Sequence, residues 1–556
     1  MKSDLPLEKG ADEPSSVRLS SETTPAFIFH ASTGDTSAIS RQNQALPIYR
    51  LPNEIISYIF ELANETDPDS ISPHPLRLYT RWSISHVSRL WRQVALHMPR
   101  LWSIIVSTDC HVVEVCVIRS KDAPLDISLP NYDPSARRSM LFPSPHVARF
   151  KSCMEILAPH IGRWQSLEFG DVSIEEFMPY LDAAAPQLET LALSLSDYDP
   201  DQDLLLGDVL LPGNFPRVRE LFLINAHIPL ASPIYAGLTY LRLHDINFDT
   251  SSMDDLHSAI NACPNLESLD LDRVIVRLPS SLSPSNPALS LELPKLSSLG
   301  LIDLQTFVTR DILASIRPSP SLELSTFNSL EGNDNLCNIL PVGTHLSRTM
   351  PSLSRIKHLT FLFGVEHDGV ASFDLSGRED MGPNIMDFSC ISPNPGFLAS
   401  SLFQVIGQQL DLSHLISLTL IGLTNALFSV DSFTNMLKHL PTIHRLEFKH
   451  CSTSFIEILC VTPTRSVCPM LSTLSIERSN ISGPCLEALV QSRVSTNDEE
   501  DDSGRKNKLV EVHSRGCNRI DVEAWVRIQG LLALYDFEQT ARDEFDPYSN
   551  FIYVLD

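Results

Sequence analysis

Glycine is the first shortage: 21 residues in a chain of 556, roughly half the usual share of ~7%. That argues against an enzyme built on a glycine-rich, phosphate-cradling loop. Positive charge is the second, with 42 Lys and Arg against 68 Asp and Glu and a formal net charge of −26. Nucleic acids and anionic lipid surfaces are held by clustered Lys and Arg, so neither is an expected partner. No uncharged apolar run approaches the ~18 residues of a membrane span, and the opening Met1-Lys2-Ser3-Asp4-Leu5-Pro6 has no apolar signal core. Eleven cysteines, odd in number and scattered, make no disulfide framework and read as reduced thiols. The expectation is a soluble chain of the cytoplasm or nucleus. H-E-x-x-H, C-x-x-C, G-x-S-x-G and dinucleotide glycine patterns are all missing. No catalytic residue, metal or cofactor is therefore expected.

What is present is core-forming material, 43% apolar and 20% charged. Residues 1–44 are rich in Ser, Thr, Asp and Glu and read as a disordered leader. From residue 45 the character changes. In "LPNEIISYIFELA" (Leu51–Ala63), Ile55, Ile56, Ile59, Phe60 and Ala63 form a helical stripe, with Pro52 in the first turn. A Pro- and Asp-containing break follows, then a second stripe through Ile84, Val87, Trp91, Val94 and Ala95. Two short amphipathic helices make a poor core and call for a partner or a third element.

From about residue 161 a different pattern repeats: Pro-x-φ-x-x-φ-x-φ, where φ is apolar. It occurs as "PQLETLAL" (Pro186–Leu193), "PRVRELFL" (Pro216–Leu223), "PNLESLDL" (Pro264–Leu271), "PKLSSLGL" (Pro294–Leu301), "PNIMDFSC" (Pro383–Cys390), "PTIHRLEF" (Pro441–Phe448) and "PMLSTLSI" (Pro469–Ile476). Proline-free copies begin at Leu238, Ile356 and Leu415, a degenerate one lies near Phe327, and a late one is "LVEVHSRGC" (Leu509–Cys517). Most steps are then 28–30 residues. A period near 29 with φ-x-x-L-x-L is the pattern of leucine-rich repeats. Each unit offers a short strand with one buried face and a return arm, and it stays half-exposed until the next unit stacks on it. The alternative is an ordinary Leu-rich α/β protein. The acidic run "NDEEDD" (Asn497–Asp502) reads as a solvated loop.

The segment Leu46–Ala95, with "LPNEIISYIF" and then "HVSRLWRQVA" (His86–Ala95), resembles an F-box. "MPRLWSII" (Met98–Ile105) and "VIRSKDAPLDISL" (Val117–Leu129) look like the extension found in many fungal F-box proteins. The resemblance, to F-box proteins with C-terminal leucine-rich repeats, covers most of the chain beyond residue 45. It implies an α+β chain. A small all-α F-box domain (45–103) would lead through a connecting segment (104–160) to an α/β leucine-rich-repeat horseshoe (161–530) and a C-terminal cap (531–556). It also implies a function. The F-box would dock a Skp-type linker of a cullin–RING (SCF) ubiquitin ligase, the repeats would hold an unknown protein substrate, and partners would transfer ubiquitin. Carried over by motif position, the linker contacts would be Leu51, Pro52, Ile55, Ile56, Ile59, Val87 and Trp91. Two departures are a longer loop between the helices and Ser88 where Cys is common. The alternative is a binding scaffold whose first helices only cap the array.

On such a solenoid the residues between buried strand positions line the open face. Phe222 and Tyr240, with Arg242 and His244, fall on neighbouring repeats as an aromatic group beside a cation; Arg445 and Lys449 fall further along. These are the candidate substrate contacts, with a merely solvated face as the alternative. His444, His450, Cys451, Cys460 and Cys468 match no zinc spacing.

Overall fold

The apolar-x-apolar segments become strands. The computed structural model describes residues 46–64, 76–130, 145–172, 183–195, 215–277, 290–332, 334–341, 350–366, 369–380, 382–410, 412–463, 465–494 and 509–532, with a few single positions between them. The proposed leader, the acidic run at 497–502 and nearly all of the expected cap at 531–556 lie outside these residues. The chain forms two compact units: a small one holding residues 46–64 and 79–97, and a large one holding residues 76–78 and those from residue 98 onward.

The small unit is helical, with α1 (Asn53–Asn64), α2 (Leu76–Val87) and α3 (Arg89–Leu96). The single stripe expected from Ile84 to Ala95 is broken at Ser88. There the backbone is extended and the hydroxyl accepts from Trp91 N at 3.2 Å, so Ser88 ends α2 and caps α3. Ser88→Ala is expected to cost the small unit about 1 kcal/mol, read as a lower thermal midpoint; an unchanged midpoint would show the cap to be idle.

The large unit is built on one 16-stranded sheet. Its strands are β1 (Ile104–Ile105), β2 (Leu125–Pro130), β3 (Trp164–Val172), β4 (Thr190–Leu195), β5 (Glu220–Ile224), β6 (Tyr240–His244), β7 (Ser268–Asp272) and β8 (Ser298–Ile302). Then come β9 (Glu323–Ser329), β10 (His358–Val365), β11 (Ala371–Arg378), β12 (Asn384–Ser392), β13 (Ser417–Ile421), β14 (Arg445–Lys449), β15 (Thr473–Glu477) and β16 (Glu511–Arg515). Strands β1 to β9 pair in parallel in chain order, as do β13 to β16. Parallel neighbours need a crossover. Several of these carry short helices, such as Met253–Asn261, Thr306–Ser315, Val430–Lys438 and Gly483–Val494.

Register explains the repeat. Leu191, Leu221, Leu241, Leu269, Leu299 and Leu324 lie opposite one another from β4 to β9, and Leu193, Leu223, Leu243, Leu271 and Leu301 form a second column. All are buried. Because side chains alternate along a strand, a one-residue slip would turn both columns outward. Burial of each such Leu is worth roughly 1.5–3 kcal/mol, so the columns fix the register.

A left-handed residue follows eight of these strands: Asn225, Asp245, Arg273, Asp303, His450 and Arg478, with Gly422 and Gly516 at the same place after β13 and β16. Its N–H extends the ladder, Asp245 N donating to Asp272 O at 2.9 Å and Gly422 N to Lys449 O at 3.0 Å. Gly422 has φ +82°, where a side chain is strained. Gly422→Val is expected to lower stability by about 1–2 kcal/mol, measurable by urea unfolding; no loss would mean that the turn relaxes freely.

Between β9 and β13 the order departs from the expected stacking of successive copies. The sheet runs β9-β12-β11-β10-β13, and β11 is antiparallel to both its neighbours. Three strands joined as hairpins leave β12 parallel to β9 and β10 parallel to β13, so the inserted meander is flipped without interrupting the sheet. Rings fill the space beneath it. Phe403 on the helix Pro395–Gln408 lies 5.9 Å from Phe361, 5.2 Å from Phe428 and 5.3 Å from Phe433. The degenerate copy near Phe327 is β9, but its buried positions are Leu324, Thr326 and Asn328; Phe327 is half-buried on the other face.

The architecture is thus mixed α and β around a large, mostly parallel sheet. Among the described residues no helix is long and apolar enough to cross a membrane.

Candidate functional site

In the small unit, α1 has two apolar sides. At 100° per residue, Ile56 and Phe60 project to one side and Ile55, Tyr58, Ile59 and Leu62 fall within an arc of about 100° on another. Ile56 and Phe60 are each 1% exposed. The Phe60 ring sits 5.0 Å from that of Trp91, and Val94 and Ala95 of α3 are buried. The other side is bare: Ile55 is 45% exposed, Tyr58 58%, Ile59 37% and Leu62 49%. Leu51, just before the helix, and Val87 at the end of α2 are exposed as well. Pro52 is exposed and its carbonyl accepts from Ile55 N and Ile56 N, both at 3.1 Å, starting the helix.

Of the seven residues assigned to linker contact, Leu51, Pro52, Ile55, Ile59 and Val87 are therefore outward, Ile56 is core, and Trp91 is half-buried against Phe60. Tyr58 and Leu62 were not singled out from sequence. The i, i+3, i+4, i+7 spacing from Ile55 carries them.

On the open face of the large sheet, Phe222 (β5) and Tyr240 (β6) stack at 4.7 Å with an interplanar angle of 25°. Next to them Arg242 Nε stands 3.1 Å from Asp270 Oδ2. Burial holds the Asp270 carboxyl above the usual range, with Arg242 opposing that and Asp272 adding to it. Gly300 is opposite Asp270 in β8, where an added Cβ would meet Asp270 Oδ1 at 2.7 Å. His244 Nε2 lies 3.1 Å from Asp245 Oδ2 and 3.4 Å from Asp272 Oδ2. Arg273 clamps the same acids, donating to Asp245 Oδ2 at 2.9 Å and approaching Asp272 at 3.2 Å. The hydrogen bond from Arg273 is the main reason the Asp245 carboxyl titrates below its ordinary range. Four of the six open-face candidates thus meet at one place. Arg445 and Lys449 do not join them: β14 is eight strands from β6, roughly 40 Å along the sheet. Lys449 pairs there with Glu447 at 3.3 Å and Glu477 at 3.7 Å, and Arg445 is exposed.

The cysteines near β14 are buried. Cys451 and Cys468 thiols are both pushed up to about 12 by burial, and Cys451 Sγ donates to Lys449 O at 3.2 Å and Leu420 O at 3.4 Å. Thiols so protonated are poor nucleophiles. Among the described residues no three His, Cys, Asp or Glu side chains converge to hold a metal ion.

No family model matches the chain, and a search of curated proteins gives no match.

Proposed function

We propose that this chain is a substrate-recruiting adaptor of an SCF-type ubiquitin ligase. In this reading the small helical unit is an F-box that docks a Skp-type linker, and the large unit is a leucine-rich-repeat solenoid that carries a protein substrate. The observation that carries the proposal is the bare apolar side of α1. Ile55, Tyr58, Ile59 and Leu62 are all more than a third exposed while Ile56 and Phe60 on the same helix are already spent on the unit's own core. A helix with that second side is suited to lie in an apolar groove of a partner.

The leucine columns and the left-handed turn that recurs after β5 to β8 and β13 to β16 support the repeat reading. Gross burial of four such side chains at ~1.5–3 kcal/mol each, less association costs of ~4–15 kcal/mol, leaves a contact suited to an exchangeable adaptor. The test is calorimetric titration of a purified Skp-type linker into the full chain. Saturable one-to-one binding supports the adaptor. Absence of binding by a well-folded chain would reject it and leave a scaffold whose helices serve another partner.

A further inference from the structure

Two thiols from separate helices meet in the first part of the large unit. Cys110 opens the helix Cys110–Ser120, which follows β1, and Cys153 lies in the helix Pro145–Leu157, which comes before β3. On the second helix Phe150, Cys153, Met154 and Leu157 are buried at i, i+3, i+4 and i+7, so the core side of that helix carries Cys153 inward. On the first, Val113, Val117 and Ser120 make the buried stripe, and Cys110 stands at its edge, half-buried. Packing of the two faces brings Cys110 Sγ to 3.6 Å from Cys153 Sγ, although the residues are 43 positions apart in the chain. Cys153 Sγ also donates to Thr108 O at 3.5 Å, which holds it at the start of the first helix.

The sulfurs are in van der Waals contact. A disulfide holds its sulfurs about 2.0 Å apart, so small side-chain rotations close the remaining gap without moving either helix far. The two thiols are also unequal. Cys153 is buried, and its thiol is pushed up to about 12 by burial first, then by the hydrogen bond and charge of Cys110 and by the Asp109 carboxylate. It stays protonated at neutral pH and makes no first attack. Cys110 is the sulfur that a small reagent in solution can reach. An accessible sulfur beside a second thiol able to resolve it is the arrangement that reversible oxidation requires.

We propose that Cys110 and Cys153 form a reversible disulfide, a redox site whose oxidant is a hydroperoxide. The Cys110 sulfur takes the terminal peroxide oxygen: an S–O bond forms, the O–O bond breaks, and the thiol proton passes to the departing oxygen. The products are a sulfenic acid at Cys110 and water or an alcohol. Cys153 then attacks that sulfur: the S–S bond forms, the S–O bond breaks, and the Cys153 proton leaves with the hydroxyl as water. The two thiols supply the two electrons that reduce the peroxide, and a dithiol reductant returns them. The product ties the two helices across the connection between β2 and β3. The linker-docking helix takes no part, so the proposal is independent of the adaptor reading.

The test is peptide mapping by mass spectrometry of the reduced, full-length chain before and after hydrogen peroxide, with free thiols blocked by N-ethylmaleimide during denaturation. The expected product is a cross-linked pair of peptides carrying Cys110 and Cys153, which dithiothreitol separates. In Cys153→Ser the sulfenic acid has no resolving thiol, so labelling of Cys110 by dimedone should rise several-fold over the wild type. Cys153→Ala should behave in the same way, and circular dichroism checks both variants for folding. If neither folds, the wild-type map still decides. Cys110 and Cys153 both blocked and unlinked after peroxide treatment would overturn the proposal. So would a cross-link that joins other cysteines instead, or a sulfinic acid at Cys110 without the disulfide.

Discussion

Ile55→Asp/Ile59→Asp is expected to weaken binding of a Skp-type linker by at least about a hundredfold. Each Ile would contribute ~1.5–3 kcal/mol on burial, and each new carboxylate would have to be desolvated in an apolar groove. Two such losses correspond to two or more factors of ten in Kd. The fold should tolerate the change, because Ile55 is 45% and Ile59 37% exposed in the free chain, and exposed positions usually carry small stability effects. Ile56→Asp makes the contrast. Ile56 is 1% exposed, so that variant should lose helical circular dichroism from the small unit itself. Calorimetry for binding and circular dichroism for folding separate the outcomes. A double variant that is folded and still binds tightly would move the docking surface off α1.

The second large effect is expected at Arg493, near the end of the helix Gly483–Val494. The side chain is 7% exposed. Its Nε donates to Leu459 O at 2.8 Å, Nη2 to Val467 O at 2.8 Å and Nη1 to Cys468 O at 3.2 Å. Burial lowers the pKa of the guanidinium, so the three carbonyls carry the work of solvating it. They also gain from the arrangement: Cys468 O has a second donor in Leu471 N at 3.1 Å, so the fork matters most to Leu459 O and Val467 O. Arg493→Ala should take this donor from Leu459 O and Val467 O and open a void, a loss of about 3–5 kcal/mol. Arg493→Lys has one nitrogen where the fork has three, and should recover only part. Urea unfolding reads both. A loss below about 1 kcal/mol for Arg493→Ala would mean that water replaces the fork without penalty.

The strands were legible in the sequence because their signal is local. Leu191 and Leu193, or Leu474 and Ile476, sit two apart behind a turn residue, and each copy of that spacing is a strand. The flipped meander was not legible from the same signal. "IKHLTF" and "PNIMDFSC" both match the repeat, and the match says nothing about which neighbour each strand takes. The clue was β11 between them, where Ala371, Phe373, Leu375 and Gly377 alternate inward, a period-2 run twice as long as those of β5, β6 and β8. It marks an antiparallel strand, and two hairpins around it reverse the order. The break at Ser88 was also hidden, since apolar spacing continues across it and only the capping hydroxyl ends the helix.

The candidate sites divide in the same way. Periodicity placed an apolar stripe on α1 but did not separate its core side from its bare side, and so put Ile56 with Ile55. Alternation brought Phe222, Tyr240, Arg242 and His244 together because adjacent repeats share a register. Arg445 and Lys449 lie far off, as their place several repeats further along the chain implies, since distance along the sheet follows strand order. The turn carboxylates around Arg273 were missed because they stand outside the φ-x-φ pattern. Asp245 and Asp303 share only a fixed offset after a strand, where left-handed backbone favours Asn, Asp and Gly.

The most direct test of the adaptor account is hydrogen exchange of the full chain with and without a saturating Skp-type linker. The account predicts new protection concentrated at residues 51–62 and around Val87, with the strands of the large sheet unchanged. Protection confined to the sheet, or none at the first helix, would contradict it.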